Sequence, residues 1–192
     1  MSYVLLDSGV PPDQKANDGI YSGYVPLHLT KAAVGQYNIQ IQASDNQGLV
    51  SNIIGLPVTV ISSNNKPPII SALIAPDTVF VPTGSTPNYI TVSVVASDAD
   101  GLETIASVST RVIKPDGTIS IPYPLLDDGG KTPDPVFTGT TSGDATAGDG
   151  RFTLRIPVTF DAKRNEYRDF VFTAKDKSGA ISNSLTKRIY IQ

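Results

Sequence analysis

Short runs of alternating apolar and polar residues, rich in Val, Ile, Thr, Tyr and Phe, fill most of the chain. Clusters of Gly, Pro, Asp and Asn separate them. A period of two puts one set of side chains on each face of a strand, whereas a helix needs apolar residues every three or four positions. In residues 69–192 this alternation predicts strands at Ile69–Ile74, Thr78–Val81, Tyr89–Ala96, Ile105–Ile113, Thr118–Tyr123, Arg151–Phe160, Asp169–Ala174 and Leu185–Ile191. In residues 1–61 it predicts four more, near Tyr3–Leu6, Tyr21–Leu29, Gln36–Ala43 and Ile54–Ile61. Pro115-Asp116-Gly117 reads as a hairpin turn, because Pro presets φ and Gly accepts a positive φ. No segment longer than one turn reads as a helix. The nearest, Asp161–Tyr167, reads as a connection between strands of different sheets.

The pattern repeats. Residues 13–52 align without a gap to residues 144–183, at a constant offset of 131, with ten identities in forty positions. The landmarks include Asp13 with Asp144, Asp18-Gly19 with Asp149-Gly150, Asp45 with Asp176, Gly48 with Gly179, and Ser51-Asn52 with Ser182-Asn183. Upstream, Leu5-Leu6-Asp7-Ser8-Gly9 matches Leu125-Leu126-Asp127-Asp128-Gly129 if the second copy carries an eleven-residue insertion. The segment from Ile69 to Pro122 has no counterpart in the first copy. Ser62-Ser63-Asn64-Asn65-Lys66-Pro67-Pro68 lies between the copies and is a linker by composition, held extended by its Pro pair.

The resulting division is the C-terminal half of a module at 1–61, a linker at 62–68 and a complete module at 69–192. Eight short strands with frequent turns read as an antiparallel immunoglobulin-like β-sandwich, so the fold class is all-β. Tyr37 and Tyr167 sit near the start of the penultimate strand of their copies, roughly where such sandwiches place a corner tyrosine. The inter-sheet disulfide and core Trp of antibody domains are both absent, since the chain has no Cys and no Trp. Four strands alone would leave apolar faces uncovered and edge groups unpaired. Either 1–61 is a piece of a longer tandem array cut within a module, or strands of a neighbouring chain complete it, or it packs on the second module as an extra sheet.

Composition sharpens this reading. Of 18 acidic residues, 16 are Asp and only Glu103 and Glu166 are Glu; with 16 Gly and 15 Pro, this favours turns over helices. A net charge of -3 without Lys/Arg clusters argues against a nucleic-acid partner. No apolar run approaches the ~18–20 residues of a membrane helix, and residues 1–7 show no targeting peptide. With no Cys, thiolate metal sites and Cys nucleophiles are excluded together.

Ala96-Ser97-Asp98-Ala99-Asp100-Gly101-Leu102, Leu125-Leu126-Asp127-Asp128-Gly129 and Gly143-Asp144 through Arg151-Phe152 resemble the tandem immunoglobulin-like, fibronectin III- or cadherin-like modules of bacterial secreted and cell-surface proteins. Phe172-Thr173-Ala174-Lys175-Asp176-Lys177-Ser178-Gly179 fits the same pattern. The resemblance implies an extracellular or cell-surface, non-catalytic module serving structure, adhesion or spacing. Its alternatives are a self-assembling filament or surface-layer subunit and an accessory glycan-binding region of a secreted hydrolase.

In such a sandwich the B–C and F–G loops share one pole, and strand E starts there. Asp98, Asp100, Asp127, Asp144, Asp149 and Asp176 are then candidate ligands of a Ca²⁺ ion, which takes six to eight oxygens. The competing reading is ordinary Asp-Gly turn chemistry, with each carboxylate bonded to nearby backbone. The first copy keeps Asp7, Asp13, Asp18 and Asp45 but lacks a B–C loop, so its site is expected to be incomplete. A glycosidase acid/base pair needs two carboxyls flanking a sugar cleft, and nothing in the sequence predicts one. A Ser/His/Asp triad would require His28, which lies in an alternating strand and aligns with Thr159. The sequence therefore predicts no enzyme. Partners are expected to be protein, by self-association or through neighbouring modules, with a glycan as the second candidate and no membrane insertion.

Overall fold

The computed structural model describes residues 2–26, 29 and 33–192. The chain separates into two compact units, Met1–Thr30 and Lys31–Gln192, so the segment read as a half module is shared between them. The strands of the second unit are β1 (Gly35–Ile41), β2 (Ile54–Val60), β3 (Ile69–Ile74), β4 (Thr78–Val79), β5 (Asn88–Ser97), β6 (Ile105–Ile113), β7 (Tyr123–Leu125), β8 (Arg151–Val158), β9 (Glu166–Asp176) and β10 (Leu185–Ile191). A single 3-10 turn at Leu102–Thr104 lies between β5 and β6.

Strands β3 to β10 form an antiparallel sandwich of two sheets, in the order β3-β5-β8 and β4-β10-β9-β6-β7. Only the short β4 runs parallel to its neighbour, β10. The alternation read from the sequence is realised as burial. Ile90, Val92, Val94 and Ala96 of β5 and Leu154 of β8 face Val108 and Val112 of β6, Phe170, Phe172 and Ala174 of β9, and Ile189 and Ile191 of β10. Fully burying a Phe contributes about 1.5–3 kcal/mol, so Phe170 and Phe172 are among the largest single terms in this core. The Asp161–Tyr167 segment carries the chain from the sheet of β8 to that of β9 as expected, with its last two residues already part of β9.

Several predicted strands are shorter than their alternation implies. Thr118–Tyr123 does not run as one strand. Ile119 makes a single bridge to Ile113, and Ser120 Oγ accepts the Val112 N–H at 2.9 Å, which ends the ladder. Pairing resumes beyond Pro122 as β7. In the first unit, Tyr3–Leu6 and the described part of Tyr21–Leu29 meet at one bridge, Leu6 to Ser22, with residues 27 and 28 outside the described residues. Its counterpart in the complete module belongs to β8, which β5 pairs from Asn88 to Val95. A strand signal without a partner yields a bridge rather than a ladder.

The repeat is structural as well as sequential. Bonds of 2.9 Å in both directions join Leu6 and Ser22, as bonds of 2.9 and 2.8 Å join Leu126 and Thr153. The Tyr37 hydroxyl donates to the Ala33 carbonyl at 2.8 Å, the corner bond anticipated for that position. Tyr167 instead lays its ring against Tyr190, with centroids 4.8 Å apart.

Candidate metal centre

The Leu126–Thr153 bridge holds the residues after β7 against the start of β8, so Asp127 meets the turn that enters β8. Asp127 Oδ1 accepts the N–H groups of Gly148 at 2.6 Å and Asp149 at 3.3 Å, and its Oδ2 accepts that of Gly150 at 2.8 Å. Asp144 Oδ2 accepts the Gly129 N–H at 2.7 Å, and Asp149 Oδ1 that of Arg151 at 2.8 Å. One oxygen from each of Asp127, Asp144 and Asp149 lies within 4.8 Å of the others. Gly129 makes the geometry possible. Its φ is +66°, and a Cβ there would lie 3.2 Å from the Ala147 nitrogen.

The first repeat builds the same group. Asp7 accepts the N–H groups of Asp18 at 3.2 Å and Gly19 at 2.9 Å. Asp13 Oδ2 accepts that of Gly9 at 2.6 Å, and Asp18 Oδ1 that of Ile20 at 3.0 Å. Asp7, Asp13 and Asp18 also bring one oxygen each within 4.8 Å. Gly9 has φ +69°, and its Cβ would lie 2.9 Å from the Ala16 nitrogen, the counterpart of Ala147. The Gly9 N–H bond is the main reason the Asp13 carboxyl titrates below its ordinary value. The first copy thus carries the full three-carboxylate group although it has no counterpart of Asp98 or Asp100.

The remaining predicted ligands lie elsewhere. Asp98 Oδ1 accepts the Asp100 N–H at 2.8 Å, while its Oδ2 is buried without a hydrogen-bond partner. Asp100 Oδ2 accepts the Lys66 N–H at 2.8 Å. Asp176 is buried and accepts Asn65 Nδ2 at 2.6 Å and the Ala180 N–H at 2.8 Å. Asp100 and Asp176 therefore hold the linker. The cavity beside them, lined by Val34, Asn65, Asp100, Thr104 and Lys177 among others, has a volume of about 10 Å³, room for one water at most. None of the three joins the Asp127 group. His28, weighed as a triad base, lies outside the described residues.

The eleven-residue insertion is fastened by acids outside the candidate ligand set. Asp128 accepts Ser142 Oγ at 2.6 Å and the Gly130 and Thr132 N–H groups at 2.9 Å. Burial pushes the Asp128 carboxyl up, but these bonds outweigh it and hold the group below its ordinary value. Asp134 is buried in the insertion, and its Oδ1 accepts the Val136 and Phe137 N–H groups. The signal for Asp128 was its replacement of Ser8, in the copy with the longer loop.

Three carboxylates this close repel unless something positive lies between or against them. Backbone N–H dipoles supply part of that compensation. The donors are hard oxygens, with no thiolate in the chain, which suits Ca²⁺ rather than a softer metal. Nothing in the group resembles a nucleophile and its base.

Fold and site together define an antiparallel immunoglobulin-like β-sandwich whose loop acids are bonded to backbone. No protein-family model matches the chain, and no curated protein matches it. Among solved structures the chain is similar to the fibronectin(III)-like modules of CbhA from Clostridium thermocellum, at 21% identity and a TM-score of 0.37. That match covers 83% of this chain and 64% of the solved one, so the chain spans somewhat under two thirds of its length.

Proposed function

We propose that the chain is a non-catalytic structural module of a bacterial secreted or surface protein, acting as a spacer between neighbouring parts. The observation that carries this reading is the clamped linker. Asp176 and Asp100, on two different loops of the sandwich, take hold of Asn65 and Lys66 immediately before the first strand of the module. A free linker of seven residues would let modules swing, whereas side chains bonded at both loops fix the joint. Asp45, aligned with Asp176, marks the same loop of the first repeat.

Calcium is the second element of the proposal. Asp127, Asp144 and Asp149 would bind one ion, and Asp7, Asp13 and Asp18 another, with backbone carbonyls and water completing each shell. An ion there would tie the loop after β7 to the start of β8. Binding to the folded state alone would raise stability.

Thermal melting and small-angle scattering with Ca²⁺, and again with chelator, test both elements. The expected result is a melting temperature higher by several degrees in Ca²⁺, and a scattering envelope that broadens in a double Asp100→Asn, Asp176→Asn variant. Identical melts would remove calcium from the proposal. An unchanged envelope in the variant would remove the rigid joint.

A further inference from the structure

The hairpin of β1 and β2 reproduces the ladder of β9 and β10 pair by pair. Gly35 with Val60, Tyr37 with Val58, Ile39 with Leu56 and Ile41 with Ile54 are partners in the first repeat. At the offset of 131 these become Glu166 with Ile191, Arg168 with Ile189, Phe170 with Lys187 and Phe172 with Leu185, and all four pairs occur. The turns agree too. Asp45 N–H donates to Leu49 O and Ser51 N–H to Ala43 O, matching Asp176 to Ala180 and Ser182 to Ala174.

What differs is cover. Phe170, Phe172 and Ile189 are at most 2% exposed, packed by β3, β5 and β8 across the sandwich. The counterparts of the two Phe residues, Ile39 and Ile41 of β1, are each 41% exposed, and Val58, the counterpart of Ile189, is only half-buried. Residues two apart on a strand share a face, so Tyr37, Ile39, Ile41, Leu56, Val58 and Val60 form one apolar surface on a sheet of two strands. A contiguous apolar patch of this kind marks an interaction surface.

A second observation names the occupant. In the complete module Asn183 Oδ1 accepts the Ile70 N–H at 2.9 Å, and its Nδ2 donates to the Ile70 carbonyl at 3.0 Å. One side-chain amide thereby holds both backbone polar groups of one β3 residue. Asn52 occupies the same place after the same turn and is exposed. An Asn that offers a donor and an acceptor together is suited to grip a strand backbone whatever its side chains.

The geometry points to this face, with Asn52, as the docking surface for the front strands of another module of the same kind. The occupant is an extended segment with the alternation of Ile69–Ile113. Its first strand is gripped by Asn52, and its apolar side chains rest on Ile39, Ile41 and Leu56. Residues 1–192 hold one such strand set, already packed on β8, β9 and β10, so the occupant comes from outside them. The inference needs neither the calcium nor the fixed joint of the preceding proposal.

The test mixes the full chain with a polypeptide of residues 62–122, which carries β3, β5 and β6, and follows hydrogen exchange across Gly35–Val60. A one-to-one complex with exchange slowed at least about tenfold is expected. Losing two hydrogen bonds should weaken it about tenfold in Asn52→Ala. Ile39→Asp, which puts a charge on the apolar face, should abolish it. Exchange that does not slow, or variants that bind as the parent does, would overturn the inference. So would a chain that alone self-associates with this hairpin already protected, because the occupant would then be a second hairpin.

Discussion

Asn183 holds both backbone polar groups of Ile70, with its Oδ1 2.9 Å from the Ile70 nitrogen and its Nδ2 3.0 Å from the Ile70 oxygen. The bond pair spans 113 residues of sequence and ties the first strand of the sandwich to the strand that closes it. Removing the side chain takes this partner from both the N–H and the C=O of Ile70, a cost of about 1–3 kcal/mol. Asn183→Ala should therefore lower the melting temperature by several degrees. Asn52→Ala, at an exposed position in the other repeat, should change it by no more than about 0.5 kcal/mol in free energy. Parallel chemical denaturation of the two variants checks the contrast.

The sandwich was largely legible, since alternation alone placed Ile69–Ile74, Ile105–Ile113 and Leu185–Ile191 where the strands run. A period-two pattern with one buried face is a strong signal when a partner strand exists. It overreached in the described part of Tyr21–Leu29, residues 21–26 and 29, where alternation is present but only Ser22 finds a bridge. For the acids, the offset of 131 already paired Asp13 with Asp144 and Asp18 with Asp149. What it did not resolve was which acids lie side by side. Asp100 and Asp176 share a pole with the others in topology, yet they turn toward Asn65 and Lys66 of the linker. Topology assigns a loop to an end of the sandwich; side-chain direction depends on turn geometry such as the positive φ of Gly129, which no spacing rule supplies.

Gly129 and Asp127 give a prediction about that loop. An Ala at Gly129 meets a positive φ and a nitrogen at 3.2 Å, so Gly129→Ala should cost at least about 1 kcal/mol. Asp127→Ala strips a charged acceptor from the Gly148 and Gly150 N–H groups, at about 1.5–3 kcal/mol. Both losses should appear in chelator as well as in Ca²⁺, because they arise from backbone bonding. A loss seen only with Ca²⁺ would assign the loop to the ion alone.

Acid should unfold the protein through carboxylates whose folded-state values are depressed. Asp128 is held down by Ser142, Thr132 and Gly130 against the upward push of burial, and Asp169 by the Arg188 guanidinium. Glu166 is held down by Arg168 and Lys163, again against burial. A depressed value means the folded state binds its proton less readily than the unfolded chain. These groups therefore stabilise fully above their ordinary values of 3.8 for Asp and 4.5 for Glu. That stabilisation fades as pH falls through the lower folded values. A melting series should be flat above about pH 5.5 and fall steadily below about pH 4.5. Asp128→Asn should flatten the acid limb, whereas a limb unchanged by this substitution would remove Asp128 from the account.

A buried hydroxyl between the strands of the larger sheet works against the core. Thr110 of β6 is fully buried opposite Phe172 of β9 and Tyr123 of β7, and its Oγ1 has no hydrogen-bond partner. Desolvating a hydroxyl without a compensating bond costs about 1–3 kcal/mol in proteins. Valine keeps the β-branched shape that suits a central strand and exchanges the hydroxyl for a methyl. Thr110→Val should thus raise stability by about 1 kcal/mol and the melting temperature by a few degrees, with the denaturant m-value unchanged because the surface exposed on unfolding is the same. A destabilised variant would mean that the hydroxyl finds a partner in solution, with a buried water beside Phe172 as the first place to look.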